Sequence, residues 1–264
     1  MNKKLHVHLA RMANQGTRLI AVAAGRSIPF YYVAEYPRSG GTWIAHLLSD
    51  YLQIPFPKHS MLPIACKSVI HNHWSYHRNL DKPVYVVRDG RDIAVSMMFY
   101  ALRRFRTENY YAKRFPSLYQ VSGNNQKHVF EQFLRDWFAH PVGCRLSWDE
   151  HVQQWTTAAG VFVVKYEDFN RDAFVALRRL LLELEGLDAD EELVDMAVQK
   201  YSFERQTKRA KGQEDKTSDK RKGVVGDWRN YFTRPAAEYF HKKAGHLLLE
   251  LGYEDDPNWF ERIG

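Results

Sequence analysis

Glu35-Tyr36-Pro37-Arg38-Ser39-Gly40-Gly41-Thr42-Trp43 is the stretch that decides how the chain is read. It follows an apolar, aromatic run, Ile28 to Ala34, and precedes an amphipathic one, Ile44 to Leu52, so the pattern predicts a strand, a tight glycine turn and a helix start. Paired glycines let the backbone turn its N–H groups toward one point, the helix N-terminus adds the positive end of a dipole, and Arg38, Ser39 and Thr42 add donors. Such a turn suits a phosphate or a sulfate. It is equally an ordinary turn with an N-cap, so support has to come from elsewhere in the chain. No Lys-Ser/Thr pair follows the second glycine, and the pattern of a nucleotide-triphosphate loop is not met.

At 264 residues the chain can bury a sizeable core, and nothing in it resembles an interdomain linker. One domain over residues 28–264 is expected, preceded by an arm or peripheral helix at residues 1–27. No run approaches the eighteen or so apolar residues that a membrane span requires. The apolar patch Leu19 to Ala24 is short for a secretory signal, and Cys66 and Cys144 offer neither a disulfide framework nor metal-ligand spacing, which together point to the cytoplasm. A net charge of +7 suits an anionic ligand or a nucleic acid. The charge is concentrated late: Arg205 to Lys222 holds eight Lys or Arg against three Asp or Glu.

Moving outward from the glycine turn, Tyr51 to Pro63 is proline-rich and reads as loop at the mouth of a site. Ser68-Val69-Ile70 reads as a short buried strand, placing His71 and His73 on one side at its end. No third ligand stands at recognisable spacing, so a zinc site is not expected. Pro83 to Val87 is a nearly all-apolar strand of the kind a parallel sheet buries, and Arg88-Asp89-Gly90-Arg91-Asp92 follows it directly into a helix. Ligands of open α/β sheets sit beyond the carboxyl ends of strands, which puts Arg88 in a binding position; the alternative is a surface turn with an N-cap at Asp89. Arg103 to Lys127 lacks a clear period and reads as a mobile loop over a substrate pocket. Further helices are expected at Phe130 to Phe138, Trp148 to Trp155, Asp172 to Glu185, Asp190 to Lys200 and Ala236 to Leu251, with a strand at Val161 to Tyr166. Strands alternating with helices imply an α/β fold: a three-layer α/β/α arrangement with a mostly parallel central sheet and a P-loop-like strand-loop-helix. Arg205 to Lys222 has no core-forming pattern and is expected to be loop.

Three separated segments carry a resemblance. Tyr36 to Trp43, Tyr85-Val86-Val87-Arg88-Asp89-Gly90-Arg91-Asp92-Ile93-Ala94-Val95-Ser96 and Arg221-Lys222-Gly223-Val224-Val225-Gly226-Asp227-Trp228 are similar, in that order, to the 5′-phosphosulfate loop, the 3′-phosphate segment and the C-terminal motif of the soluble, cytosolic-type sulfotransferases that use 3′-phosphoadenosine 5′-phosphosulfate (PAPS). The resemblance implies that Arg38 and the amides of Ser39, Gly40, Gly41 and Thr42 hold the 5′-phosphosulfate and that Trp43 lies against the adenine. It further implies that Arg88, Ser96, Arg221, Lys222 and the amide of Gly223 clamp the 3′-phosphate, with Tyr166 and Phe203 in the adenine pocket. A threonine of the family two residues before that phenylalanine is replaced by Tyr201.

His73 matches the family's catalytic base, so the resemblance implies in-line transfer of the sulfuryl group to a hydroxyl or amine, with adenosine 3′,5′-bisphosphate as product and no metal. Arg38 stands where the family usually has lysine; it can stabilise the leaving phosphate but is a poor proton donor. His71 stands where the Lys-Thr-His motif has lysine, and is expected to point away. A dimer motif is matched only in part, by Arg229, Thr233-Arg234 and Glu238, which leaves monomer or homodimer open. The acceptor is expected to be a small molecule, glycan or lipid with a hydroxyl, not a nucleic acid. The competing readings are a basic nucleic-acid-binding protein, a non-catalytic nucleotide-binding scaffold and, with the missing P-loop lysine against it, a small-molecule kinase.

Overall fold

The computed structural model describes residues 3–57, 67–186 and 188–263. The chain divides into two compact units of interleaved segments: one of residues 1–35, 39–87 and 154–206, the other of residues 36–38, 88–153 and 207–264.

The first unit contains the sheet. Helix α1 (Lys3–Ala24) precedes β1 (Phe30–Glu35), α2 (Gly41–Tyr51), β2 (Ser68–Asn72) and β3 (Val84–Val87). The order is β2-β1-β3-β4, with β4 at Phe162–Lys165, and every pairing is parallel: Val33 lies opposite His71 and Val84, and Val86 opposite Val164. Strands β1, β2 and β3 are buried over nearly their whole length, which is why they show no alternation in the sequence, whereas the edge strand β4 exposes Val163. On one face Val33, Val69, Val84, Val86 and Val164 meet the apolar stripes of α2 and of two later helices, through Leu47, Leu48, Leu177, Leu181 and Val194. On the other, Tyr85 stacks on Trp155 with ring centroids 5.2 Å apart, and the Trp155 indole donates to the carbonyl of Trp74 at 3.0 Å.

The second unit is helical and rich in aromatic residues. It holds α3 (Gly90–Leu102), capped by Asp89, whose carboxylate accepts from the amide of Arg91. Then come α4 (Asn109–Arg114), a 3₁₀ turn at Pro116–Gln120 and α5 (Gln126–Ala139). Arg103 to Lys127 is therefore no loop: Tyr111, Phe115 and Leu118 are buried, and Phe115 packs on Phe133 at 5.1 Å. The segment lacks a period because each of its turns is short and its order comes from aromatic contacts.

Helix α6 (Trp148–Thr156) leads to β4, followed by α7 (Tyr166–Arg171), α8 (Ala173–Glu185), α9 (Glu191–Lys200) and α10 (Phe203–Thr207). Asp172 caps α8 through the amide of Val175, Gly186 ends it at φ 71°, and Asp190 caps α9. The stretch after α10 is irregular as expected, and is fastened to itself: the amide of Gly212 donates to the carbonyl of Lys222 and that of Asp215 to the carbonyl of Arg221, both at 2.9 Å. Helix α11 (Arg234–Glu250) closes the second unit, and its start uses the residues of the partial dimer motif: Thr233 is the N-cap and Arg234 pairs with Glu238 at 2.7 Å. No helix among the described residues is long and apolar enough to cross a membrane. Cys144 is a free, half-buried thiol whose pKa burial pushes up to about 12, whereas Cys66 and much of the proline loop lie outside the described residues.

Candidate active site

In the first unit, β1 delivers the chain to the glycine turn. Gly40 takes the left-handed conformation at φ 97° and caps α2, and a Cβ placed on it would come 2.5 Å from the ring of Tyr166. Only glycine satisfies both demands. The indole of Trp43 meets Tyr166 edge-on at 6.0 Å and Phe169 at 6.3 Å, so Trp43 and Tyr166, both expected in the adenine pocket, are neighbours. Phe203 opens α10; just before it, Tyr201 stacks on His46 at 4.7 Å rather than standing free. The hydroxyl of Ser39 is buried and finds no hydrogen-bond partner among the described residues. A donor so placed fits an oxyanion.

A buried carboxylate that the sequence reading passed over organises this end of the sheet. Glu35, the last residue of β1, has a side chain 4% exposed; one oxygen accepts from the amide of Gly41 at 2.5 Å and the other from Nε2 of His71 at 2.8 Å. The same residue's backbone carbonyl accepts from Nδ1 of His73 at 3.1 Å. Because a carbonyl only accepts, that contact places the proton on Nδ1 and leaves the lone pair on Nε2. Burial and the neighbouring His71 push the His73 pKa down to about 4, partly opposed by Glu35, so the imidazole is neutral near pH 7. Burial is the largest influence and would raise the Glu35 pKa, but the hydrogen bond from His71, the charge that His71 and His73 carry when protonated and the Gly41 amide together bring it below the ordinary range, and it stays ionised.

His71 and His73 share one side as expected, with rings 5.0 Å apart at 85°. Two expectations are corrected. His71 does not point away but turns onto Glu35, because a buried carboxylate needs a donor. A third potential metal ligand does exist, since Glu35, His71 and His73 bring ligand atoms within 4.8 Å of one another. Both Glu35 oxygens, Nε2 of His71 and Nδ1 of His73 are engaged in hydrogen bonds. The amide of Gly41, expected to face a phosphosulfate, is likewise committed to Glu35.

The second unit gathers the cations. Arg38 has φ 82°, a backbone state uncommon outside glycine, and its Nε donates to Oγ of Ser96 at 3.1 Å while a terminal nitrogen donates to the carbonyl of Asp219 at 2.8 Å. The guanidinium also lies 4.8 Å from the centre of the Tyr100 ring. Arg88 donates to the carbonyl of Arg38 at 3.2 Å, so Arg38, Arg88 and Ser96 form one group. Arg221 and Lys222 converge on Asp227, Lys222 at 2.6 Å, and Arg221 also pairs with Glu214 and lies 4.5 Å from the Phe99 ring on α3. Asp219 takes both Arg103 and Arg104. Of the late cations, Arg221 and Lys222 are thus matched by carboxylates and Arg209 by the carbonyls of Gln213, Lys220 and Arg221, while Arg205, Lys208, Lys211, Lys216 and Lys220 are exposed.

The C-terminal motif is held by two buried charges of α3. Asp92 accepts from the amides of Gly226 and Trp228 at 2.7 and 2.9 Å, and Arg91 pairs with Asp89 and Glu254 while lying 3.9 Å from the Trp228 ring and 4.6 Å from that of Trp259. Asp89, Arg91 and Asp92 are buried, and the hydrogen bonds of Asp92 fasten the segment that follows Arg221 and Lys222 to α3.

Residues 71–252 match the family described as the sulfotransferase domain. Sulfotransferase 1A1 of Bos taurus is 25% identical over 271 residues, covering 84% of this chain and 85% of that protein. Sulfotransferase 1E1 of Homo sapiens is 24% identical, covering 83% of each. Among solved structures, a mouse sulfotransferase complexed with PAP is similar at a TM-score of 0.61 and 20% identity, covering 93% of this chain and 92% of that one. Retinol dehydratase in complex with androsterone and PAP follows at a TM-score of 0.52 and 18% identity, covering 81% of this chain and 79% of that one. With its glycine turn, histidines and arginine group on the fold of these proteins, and with the family matched over more than half its length, the chain belongs to the sulfotransferases.

Proposed function

We propose that the chain transfers a sulfuryl group from PAPS to a hydroxyl or amine of a small molecule, glycan or lipid, with His73 as general base. The observation that carries this is the state of His73: Nδ1 is committed to the Glu35 carbonyl, and a pKa of about 4 leaves Nε2 an acceptor near neutral pH. PAPS supplies the sulfuryl group, and adenosine 3′,5′-bisphosphate is what leaves. Ser39, Gly40 and Trp43 would receive its 5′ end, with Arg38 as a permanent cation that stabilises the departing phosphate electrostatically. Arg88, Ser96, Arg221, Lys222 and Gly223 would hold the 3′-phosphate, Arg221 and Lys222 exchanging the Asp227 carboxylate for it at least in part. Tyr166 and Phe203 would flank the base. Residues 28–264 would act as one sulfotransferase domain, in the cytoplasm, as a monomer or homodimer. No step of this scheme needs a metal.

His73→Ala tests it, with 2-naphthol as acceptor. Turnover is expected to fall by about a hundredfold or more, the size of a general-base contribution, with affinity for adenosine 3′,5′-bisphosphate preserved. Unchanged turnover removes His73 from the mechanism.

A further inference from the structure

Glu35 sits where three parts of the first unit meet. Its carboxylate joins the first amide of α2 to the ring of His71 on β2, and its backbone carbonyl orients His73 just past β2. The fit is close: a Cβ on Gly41 would come 2.9 Å from the Glu35 carboxyl carbon, so glycine at that position leaves the room the carboxylate needs. Among the described residues, the charged or titratable neighbours that act on His73 are Glu35 from β1 and His71 from β2. A buried carboxylate is costly unless hydrogen-bonded and paired, and packing alone would be served as well by an apolar residue.

We propose that Glu35 and His71 are a positioning pair for the transfer step, in which one carboxylate locks the start of the phosphosulfate helix to His71 and the two together set the orientation and electrostatic surroundings of His73. The proposal rests on the reading of His73 as the base. Glu35 touches neither donor nor acceptor in it; it acts through His71, His73 and Gly41. Its negative charge favours protonation of His73 and His71 opposes it, so the pair holds the base between two opposing influences.

Glu35→Gln separates this role from simple packing. The amide oxygen still accepts from Gly41, but the amide nitrogen now faces Nε2 of His71 and can only donate. Where the His71 ring carries a single proton, that hydrogen bond requires it on Nδ1 instead of Nε2. Long-range proton–nitrogen NMR of the ¹⁵N-histidine-labelled chain reads both rings directly. In the wild type His71 is expected protonated on Nε2 and His73 on Nδ1, with His73 titrating near 4. In Glu35→Gln the His71 signals exchange tautomer, the His73 midpoint moves lower, and turnover with PAPS and 2-naphthol falls at least tenfold, while affinity for adenosine 3′,5′-bisphosphate stays within about threefold. His71→Gln is the second variant: its side-chain amide still donates to Glu35, and the His73 midpoint is expected to rise. Unmoved His73 titration in both variants, or Glu35→Gln turnover equal to wild type, overturns the proposal. Should Glu35→Gln fail to fold, His71→Gln alone decides by the direction of its shift. If His73→Ala keeps its turnover while the His73 signals respond to Glu35→Gln, the base reading fails and the coupling stands. If His73→Ala is inactive and both variants leave His73 unmoved, the coupling fails by itself.

Discussion

Acid should destabilise this protein in a way traceable to one imidazole. His73 titrates near 4 in the folded state, whereas an unfolded histidine titrates near 6.5. The sign follows from the depressed folded value: the unfolded chain binds the proton first, so the contribution of His73 is complete above about pH 6.5 and is lost as the pH falls toward 4. At pH 4.5 the unfolded ring is almost fully protonated and the folded one mostly neutral, a difference on the order of 2–3 kcal/mol. His73→Gln removes the titration while its amide can still donate to the Glu35 carbonyl. Urea denaturation of both proteins at pH 7 and at pH 4.5 isolates the effect, because all other groups titrate in both. The wild type is expected to lose roughly 2–3 kcal/mol more than the variant between the two pH values. Equal losses would refute the buried, neutral state of His73, and with it the argument that Nε2 is a ready acceptor.

Other outcomes follow from the same geometry. The acid limb of kcat/KM for PAPS and 2-naphthol should lie near pH 4 rather than near 6.5, leaving the rate flat from pH 7 to pH 5 as far as this group is concerned. Gly40→Ala combines a left-handed backbone with a clash against Tyr166, and should cost at least about 1 kcal/mol in urea denaturation and weaken nucleotide binding. Asp92→Ala orphans the amides of Gly226 and Trp228; a loss of about 2–4 kcal/mol in thermal or urea unfolding is expected, with weaker binding of adenosine 3′,5′-bisphosphate as the Arg221 loop loosens.

The sheet was legible because its strands are short apolar runs ended by charge, as in Val84 to Val87 followed by Arg88, and its helices because their caps are explicit, as in Asp172 and Gly186 around α8. The glycine turn and the arginines were legible as motifs. Arg103 to Lys127 was not, since its order depends on contacts such as Phe115 with Phe133, which no local period reveals. Glu35 was overlooked for a similar reason: Gly41 lies six residues on and His71 thirty-six, and only the parallel pairing of β1 with β2 brings them together. The internal partners of the cations, Asp227 for Arg221 and Lys222 and the Asp219 carbonyl for Arg38, were equally out of reach, because a count of charges does not say which carboxylate or carbonyl each one faces.

The central claim is that the chain holds a nucleotide with phosphate at both its 3′ and 5′ positions. Calorimetric titration with adenosine 3′,5′-bisphosphate, run beside adenosine 5′-monophosphate, measures it directly. Binding of the bisphosphate at least tenfold tighter is expected, with the advantage abolished in Arg88→Ala and in Arg221→Ala, each of which removes a charge-assisted contact of about 1.5–3 kcal/mol. Equal affinity for the two nucleotides, or no binding of either, would contradict the account.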